Sequence, residues 1–195
     1  MITGAVLAGG KSLRFGKNKA FQQLSGKRFV DLAIESLRQF CDPVMVVVST
    51  IEHYLDTGVM LVQDIIPNQG PLGGIYTALL FSPVEWVFVK ATDMPFLVPE
   101  LASLIIESSE GFDAVVPEVS GYYEPLLAMY NWRCLPAITR LLKQPDKRQV
   151  IGIYRQVKVR VITEGEWRKV DPDALSFKNV NTLSDLSEID GLAGS

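Results

Sequence analysis

Two kinds of apolar pattern alternate along the chain. Short runs in which every residue is apolar, such as VMVVV at 44–48, are typical of strands buried on both faces of a parallel sheet. Segments in which apolar residues recur every three or four positions are typical of helices. Runs of this kind, together with less uniform segments such as VKVRVIT at 157–163, predict strands over residues 2–7, 44–48, 59–62, 86–90, 114–117, 126–130 and 157–163. The second pattern predicts helices over 29–40, 75–81, 135–142 and from Pro99, and Thr182 with Asp185 resembles the start of a last short helix.

The order of these elements predicts the fold class. Strand followed by helix, repeated several times, indicates an α/β fold with a mostly parallel sheet and helices on both faces. The glycine-rich stretches follow predicted strands, and the chain shows no internal repeat. We therefore expect one domain over residues 1–195, in which those stretches are site loops rather than linkers. The large side chains of Phe81, Trp86 and Trp132 are expected in its core.

Composition narrows the function classes. Of the 195 residues, 48% are hydrophobic and 21% are charged, which is typical of a globular protein. No apolar run reaches the roughly 18 to 20 residues that a membrane span needs, and no signal peptide is expected at the N-terminus. His53 is the only histidine, and Cys41 and Cys134 are far apart, which argues against a zinc site. Two isolated cysteines suit a reducing cytoplasm, which is the expected location.

The first predicted strand runs into a basic, glycine-rich loop. Residues 7–20, LAGGKSLRFGKNKA, contain three glycines, four basic residues and no acidic residue. The first 40 residues hold seven basic and two acidic residues, whereas the remainder holds twelve basic and twenty acidic ones. An acidic protein with one basic loop favours a small anionic ligand over nucleic acid.

The chemistry of this loop suits phosphate. Its backbone N–H groups can cradle phosphate oxygens, and Arg14 and Lys19 add full charges. It does not match the P-loop, because Gly10 and Gly16 enclose five residues instead of four, and it lacks the dinucleotide fingerprint GxGxxG. The sequence therefore indicates a phosphate loop of a third kind. A flexible surface loop that is basic for solubility is the alternative.

Three later segments place polar residues where predicted strands end. Asp93 suits Mg²⁺, which takes one or two carboxylates and fills its remaining positions with phosphates and water, although a turn or helix-cap aspartate is the alternative. Asp64, near glycines at 70, 73 and 74, can accept hydrogen bonds from ribose hydroxyls or base N–H groups, or it can belong to a proline-glycine turn. Asn179 and Asn181 lie on one side of an extended segment, or else in a turn.

Five motifs occur in the order found in molybdenum cofactor guanylyltransferases, namely LAGGKSLRFGKNKA, QDIIPNQGPLGG, ATDMPFL, EPLLAMY and NVNTLSDL. The sequence resembles that family over residues 2–186. The resemblance implies a Rossmann-like three-layer α/β/α nucleotidyltransferase fold. It also implies a direct, Mg²⁺-assisted, in-line transfer of GMP from GTP to the molybdopterin-bound molybdenum cofactor, with release of pyrophosphate. Gly9 resembles the branch of the family that uses GTP, because the cytidylyltransferase branch typically carries alanine there.

The same resemblance implies roles for individual residues. Arg14, Lys19 and Asp93 match the catalytic positions, and Asp93 also matches the Mg²⁺ ligand. Asn179 and Asn181 match the pair beside the acceptor. The implied nucleotide-binding residues are Leu7, Ala8, Gly9, Gly10, Lys19, Ser49, Asp64, Gly73 and Asp93. Two positions depart from the family pattern: Asn18 stands where many members carry aspartate, and Ser49 stands where some carry asparagine.

The implied partners are GTP and a molybdopterin-type cofactor as substrates, with transient contacts to proteins that donate or receive the cofactor. No nucleic acid and no membrane is expected as a partner. The alternatives within the superfamily are a cytidylyltransferase acting on the same pterin and a sugar-phosphate nucleotidyltransferase. The alternative of another class is a non-catalytic molybdenum cofactor carrier. A second basic stretch lies over residues 140–169. We interpret it as solvated surface, and a patch that binds the pterin phosphate is the less favoured alternative.

Overall fold

The computed structural model describes residues 1–9, 19–144 and 149–180, in which ten strands and five α-helices follow one another. The strands are β1 (Thr3–Leu7), β2 (Gln23–Leu24), β3 (Lys27–Arg28), β4 (Val44–Val48), β5 (Met60–Gln63), β6 (Trp86–Ala91), β7 (Ala114–Val119), β8 (Tyr122–Tyr123), β9 (Leu127–Asn131) and β10 (Val159–Ile162). The helices are α1 (Phe29–Arg38), α2 (Pro71–Phe81), α3 (Pro99–Glu107), α4 (Leu135–Leu142) and α5 (Glu164–Trp167).

Seven strands form the central sheet in the order β10-β7-β9-β6-β1-β4-β5, and β8 pairs with β7 at its margin. Strand β9 runs antiparallel to both of its neighbours, whereas the other neighbouring pairs on that path are parallel. Strands β2 and β3 form a separate hairpin. The predicted mostly parallel sheet is confirmed, and the reversed direction of β9 is not encoded in its apolar pattern.

Alternate side chains of the strands supply two cores, one on each face of the sheet. In β4, Val46 and Val48 pack into a cluster with residues of α1, α3 and α5. Met45 and Val47 pack into the other cluster, with residues of α2 and α4. Because helices cover both faces, every position of β4 is buried and apolar.

Helix α2 begins at Pro71, four residues earlier than the sequence predicts. Glycines favour a loop at 70–74 by their low helix propensity. Pro71 nevertheless suits the first turn of a helix, where its missing N–H costs little, and Gly73 and Gly74 lie within that turn. Gly70 enters the helix with φ of 60° and ψ of −154°, a conformation that needs glycine. The expected loop is therefore mostly the start of the helix.

Two of the three aromatic residues expected in the core are exposed. Phe81 exposes 49% of its surface and Trp132 exposes 53%, whereas Trp86 is partly buried against one of the cores. Phe81 is the last residue of α2 and Trp132 directly follows β9, so both lie at the end of an element. The helix expected from Thr182 lies outside the described residues. Within the described residues, no helix has the length and apolar character to cross a membrane.

Candidate active site

The carboxyl ends of β1, β4, β5 and β6 lie along one edge of the sheet. The chain builds β4 and β5 on one side of β1 and then returns to place β6 on the other side. Leu7, at the end of β1, pairs with Val47 of β4 and with Ala91 of β6. The strand order therefore reverses at β1, and such a switch point is where open α/β sheets bind ligands.

A small cleft lies at this switch point between β1, β4 and the start of α2. Its walls include Leu7, Gly9, Val48, Asp64 and Gly74. Three of the residues implied for nucleotide binding, from two separate motifs, are thus brought to one cleft.

Glycines keep the walls of this cleft close together. A Cβ atom on Gly9 would lie 3.3 Å from Oγ of Ser49, which places the exposed Ser49 beside the exit of β1. A Cβ atom on Gly74 would lie 3.3 Å from Cδ2 of Leu7. The absence of these two Cβ atoms lets the exit of β1 pack closely against Ser49 and against the first turn of α2.

Asp64 is held by one of its two carboxylate oxygens. Its Oδ1 accepts hydrogen bonds from the Ile66 N–H at 3.1 Å and from the buried Thr77 hydroxyl at 2.9 Å. Its Oδ2 accepts no hydrogen bond from any residue that the structure describes, and it faces Gly73. The carboxylate is therefore oriented in advance, with one oxygen left for a ligand in the cleft.

The first turn of α2 also borders the cleft, through Gly70 and Pro71. Helix N-termini carry partial positive charge, and the Asp64 carboxylate, which lies beside Gly73 of this first turn, is favoured in that position.

Tyr54 supports the exit of β1 and the end of the basic loop. Its hydroxyl donates to the Ala8 carbonyl at 3.2 Å, and its ring packs on Phe21 with centroids 4.9 Å apart. Phe21 closes a 3₁₀ turn, Lys19–Phe21, so the backbone of Lys19 returns to the same end of the sheet. The Lys19 side chain, and the whole of Gly10, Arg14 and Asn181, lie outside what the structure describes.

Asp93 follows β6, on the opposite side of β1 from Asp64. Its backbone carbonyl accepts a hydrogen bond of 2.9 Å from the N–H of Val180, a residue 87 positions later in the chain. Val180 is fully buried in a small cluster with Leu24 and Phe29. This anchor brings the exposed Asn179 beside the Asp93 turn, so a predicted acceptor-side residue and the predicted metal ligand meet at one place.

Lys90 is a site residue that sequence reasoning missed. Its side chain is fully buried, and its ammonium group donates to the backbone carbonyls of Met94 and Phe96 in the turn that carries Asp93. Burial lowers the pKa of Lys90 to about 7, while the negative charge of Asp93 acts in the opposite direction. The available signal was a single lysine inside the otherwise apolar run WVFVKA.

Glu124 is a second residue that was missed, although its motif EPLLAMY was recognised. Its Oε1 accepts a hydrogen bond of 3.2 Å from the Leu126 N–H. The Leu126 carbonyl in turn accepts from the Ala91 N–H at 2.9 Å, which fixes this segment at the end of β6. Burial raises the pKa of Glu124, and the charge of Asp93 adds to that shift. Glu124 therefore lies within electrostatic reach of Asp93.

The carboxylates around Asp93 fit a hard metal ion that takes only one or two of its ligands from the protein. Among the described residues no three His, Cys, Asp or Glu side chains form a cluster able to hold a metal ion. A single partly buried carboxylate, with a second one nearby, instead fits Mg²⁺, which is usually bound through one or two carboxylates and substrate phosphates.

The sequence-family model of the MobA-like NTP transferase domain matches residues 4–160, which include the cleft and the Asp93 turn. The chain belongs to this family. A molybdenum cofactor guanylyltransferase from Desulfosudis oleivorans is 40% identical over 189 residues, which are 96% of this chain and 93% of that protein. The family resemblance that the motifs indicated is thereby confirmed, and the chain is a nucleotidyltransferase.

Two solved structures extend the comparison. The molybdopterin-guanine dinucleotide biosynthesis protein A of Archaeoglobus fulgidus is 27% identical, with a TM-score of 0.83 and coverage of 98% of both chains. The 2-C-methyl-D-erythritol 4-phosphate cytidylyltransferase of Thermus thermophilus has a TM-score of 0.70 at 13% identity, again over 98% of both chains. The second likeness shows the fold alone, and both confirm the α/β nucleotidyltransferase fold.

Proposed function

We propose that this chain transfers GMP from GTP to the phosphate of a molybdopterin-type cofactor and releases pyrophosphate. The observation that carries the proposal is the arrangement at the switch point. Asp64 and Asp93 follow strands on opposite sides of β1, and the glycine-walled cleft opens beside Asp64. A nucleoside in the cleft would direct its phosphates across the end of β1 toward Asp93. The names of the relatives support the choice of GTP and of the pterin acceptor.

Asp64 is proposed to hold the nucleoside. Its Oδ2 is directed toward Gly73 and would accept either from the ribose hydroxyls or from the N–H groups of guanine. The backbone of Leu7, Ala8 and Gly9 would line the other face of the base, with Ser49 beside it. Cytosine presents only one amino donor where guanine presents two adjacent N–H donors, so a carboxylate here favours guanine.

Arg14, Lys19 and Gly10 are proposed to bind the triphosphate through the basic loop, and Asp93 is proposed to hold Mg²⁺. When bound, Mg²⁺ supplies positive charge to the phosphate oxygens. Arg14 and Lys19 would stabilise the charge that builds on pyrophosphate as it leaves. Nucleotidyl transfer needs mainly positioning and charge neutralisation, which suits a site with few side chains that could act as a general base.

The acceptor is proposed to approach from the side of Asn179 and Asn181. An oxygen of the acceptor phosphate would form a bond to the α-phosphorus of GTP. The bond from that phosphorus to the oxygen that bridges the α- and β-phosphates would break, and its electron pair would leave with pyrophosphate. A phosphate monoester is already ionised near neutral pH, so no residue has to remove a proton. We place the reaction in the cytoplasm, in keeping with two unpaired cysteines, and assign it to one domain over residues 1–195.

The proposal is tested by calorimetric titration with GTP and with CTP, each with and without Mg²⁺. We expect GTP to bind more tightly than CTP. We also expect Asp93→Ala to abolish the increase in GTP affinity that Mg²⁺ causes. Glu85→Ala is the matched control, because Glu85 is an exposed carboxylate just before the opposite end of the same strand. Formation of the dinucleotide from molybdopterin cofactor and GTP then separates an enzyme from a carrier. A preference for CTP, or binding without turnover, would overturn the proposal.

A further inference from the structure

Lys90 places a charged side chain inside the central sheet. Its exposed surface is zero, and it lies in β6 between Val6 of β1 and Leu127 of β9, with which it pairs. Burying an ammonium group is strongly unfavourable unless hydrogen bonds compensate for the lost water. An aliphatic residue would satisfy the packing of this strand as well, so the ammonium group requires an explanation of its own.

Both hydrogen bonds of this ammonium group go to one short segment. They end on the carbonyls of Met94 and Phe96, the second at 2.8 Å. The segment over 92–98 belongs to no helix or strand. Lys90 therefore acts as the partner that a strand or helix would otherwise provide for these two carbonyls.

The Asp93 turn is consequently held at two points. Lys90 binds it from the sheet, one residue beyond Asp93, and the Val180 N–H binds the Asp93 carbonyl from the C-terminal segment. The side chain of Asp93 leaves the backbone directly before these two anchored carbonyls. Removing a group that hydrogen-bonds directly to a metal ligand commonly lowers metal affinity by roughly 10- to 100-fold, and a support that acts through the backbone, as here, is expected at the lower end of that range.

We propose that Lys90 is a positioning residue, which fixes the turn over 92–96 so that Asp93 meets the Mg²⁺-bound triphosphate with its carboxylate already oriented. This inference rests on the proposed function for the identity of the ligand. It assigns Lys90 no contact with the substrate.

The test compares Lys90→Met, which is one atom shorter and removes the donors, with Lys90→Gln, which reaches as many atoms from the backbone as methionine but keeps an amide donor for one of the two carbonyls. The concentration of Mg²⁺ that gives half-maximal GTP binding is measured by calorimetry. We expect it to rise about tenfold or more in Lys90→Met, and by a smaller factor in Lys90→Gln. Binding of GTP without Mg²⁺ should stay at the wild-type value, and the KM for Mg²⁺ should rise more than kcat falls.

Thr3→Val is the matched control for a loss of stability. Thr3 is fully buried in the neighbouring strand, bonds to the Ser82 hydroxyl at 2.8 Å, and lies at the opposite edge of the sheet from Asp93. We expect this variant to melt earlier with an unchanged dependence on Mg²⁺.

Wild-type Mg²⁺ affinity in folded Lys90→Met would overturn the inference, since a purely structural lysine would lower only the melting temperature. If Lys90→Met does not fold, Lys90→Gln decides, and wild-type Mg²⁺ affinity in that variant overturns the inference as well. Absence of any Mg²⁺-dependent GTP binding in the wild-type protein would instead overturn the proposed function.

Discussion

A Cβ atom on Gly73 would lie 3.2 Å from Oδ2 of Asp64. It would also lie 3.1 Å from the Ile66 carbonyl oxygen and 3.0 Å from Cβ of Gln69. The first turn of α2 and the Asp64 segment are therefore packed as closely as glycine allows. The carboxylate oxygen that is oriented for a ligand lies at this contact.

Gly73→Ala is expected to weaken GTP binding. In an exposed helix the change from glycine to alanine stabilises by about 1 kcal/mol. Here the methyl group would press on a backbone oxygen that cannot rotate away, so Asp64 and the helix must move apart. Calorimetric titration with GTP checks this.

Gly165→Ala is the matched control, because Gly165 lies in helix α5 and a Cβ there meets nothing within 4 Å. We expect it to bind GTP normally and to melt at the same or a higher temperature. If Gly73→Ala binds GTP as tightly as Gly165→Ala does, the contact at Gly73 plays no part in binding.

Asp64→Asn is expected to reduce GTP affinity while leaving the fold intact. The amide oxygen can still accept from the Ile66 N–H and the Thr77 hydroxyl, whereas the amide nitrogen presents a donor to the cleft. Hydrogen bonds to a charged group contribute about 1.5–3 kcal/mol, which corresponds to a loss of affinity of roughly 10- to 150-fold.

Nucleotide analogues identify which groups of GTP Asp64 binds. ITP lacks the exocyclic amino group of guanine, and 2′-deoxy-GTP lacks one ribose hydroxyl. If Asp64 binds the base, the wild-type protein discriminates against ITP and Asp64→Asn loses this discrimination. If Asp64 binds the 2′-hydroxyl of the ribose, the wild-type protein discriminates against 2′-deoxy-GTP and Asp64→Asn loses this discrimination. A variant that discriminates as the wild type does would place Asp64 outside the nucleoside contacts.

Glu166 is expected to stabilise the protein above about pH 4.5 and to lose that contribution in acid. Hydrogen bonds from Arg160 and from Thr163 lower its pKa from 4.5 to about 2. Because the folded state holds the charged form more strongly, stability is retained above the unfolded pKa and falls as the pH drops from 4.5 toward 2. Only a modest effect is expected, since the pair is about one-third exposed.

Thermal unfolding of the wild type and Glu166→Gln between pH 2 and pH 7 measures this effect. The two melting curves should differ most near neutral pH and converge in acid. A difference that stays constant over the whole range would contradict an electrostatic origin.

The positions of the seven strands β1, β4, β5, β6, β7, β9 and β10, and the placement of Asp64 and Asp93, could be predicted because they follow from local pattern, whereas the two-residue strands β2, β3 and β8 were not predicted. Apolar runs mark strands, and the carboxyl ends of parallel strands share one edge. The roles of Lys90 and Glu124 could not be predicted in this way. They depend on which carbonyls and charges the folded chain brings near them, and these come from a turn and from an antiparallel strand whose direction the pattern does not reveal.

The start of α2 shows a different limit. Single-residue propensity placed Gly73 and Gly74 in a loop, because glycine lowers helix stability. The close contacts with Asp64 and Leu7 leave room for nothing larger, so tertiary packing decided these positions. Phe81 and Trp132 show the converse, since hydrophobicity predicted burial for two side chains that are about half exposed, one at the last position of α2 and one directly after β9.

The hydrogen bond from Val180 to Asp93 links the two halves of the site across almost half of the sequence. The strands that flank β1 are complete by residue 91, so a growing chain can assemble the nucleotide cleft long before residue 180 is synthesised. Of the two supports of the Asp93 turn, Lys90 is in place by then, whereas the hydrogen bond from Val180 forms only after residue 180 has been made. During synthesis the proposed nucleotide cleft would thus be complete before the Asp93 turn has both of its supports.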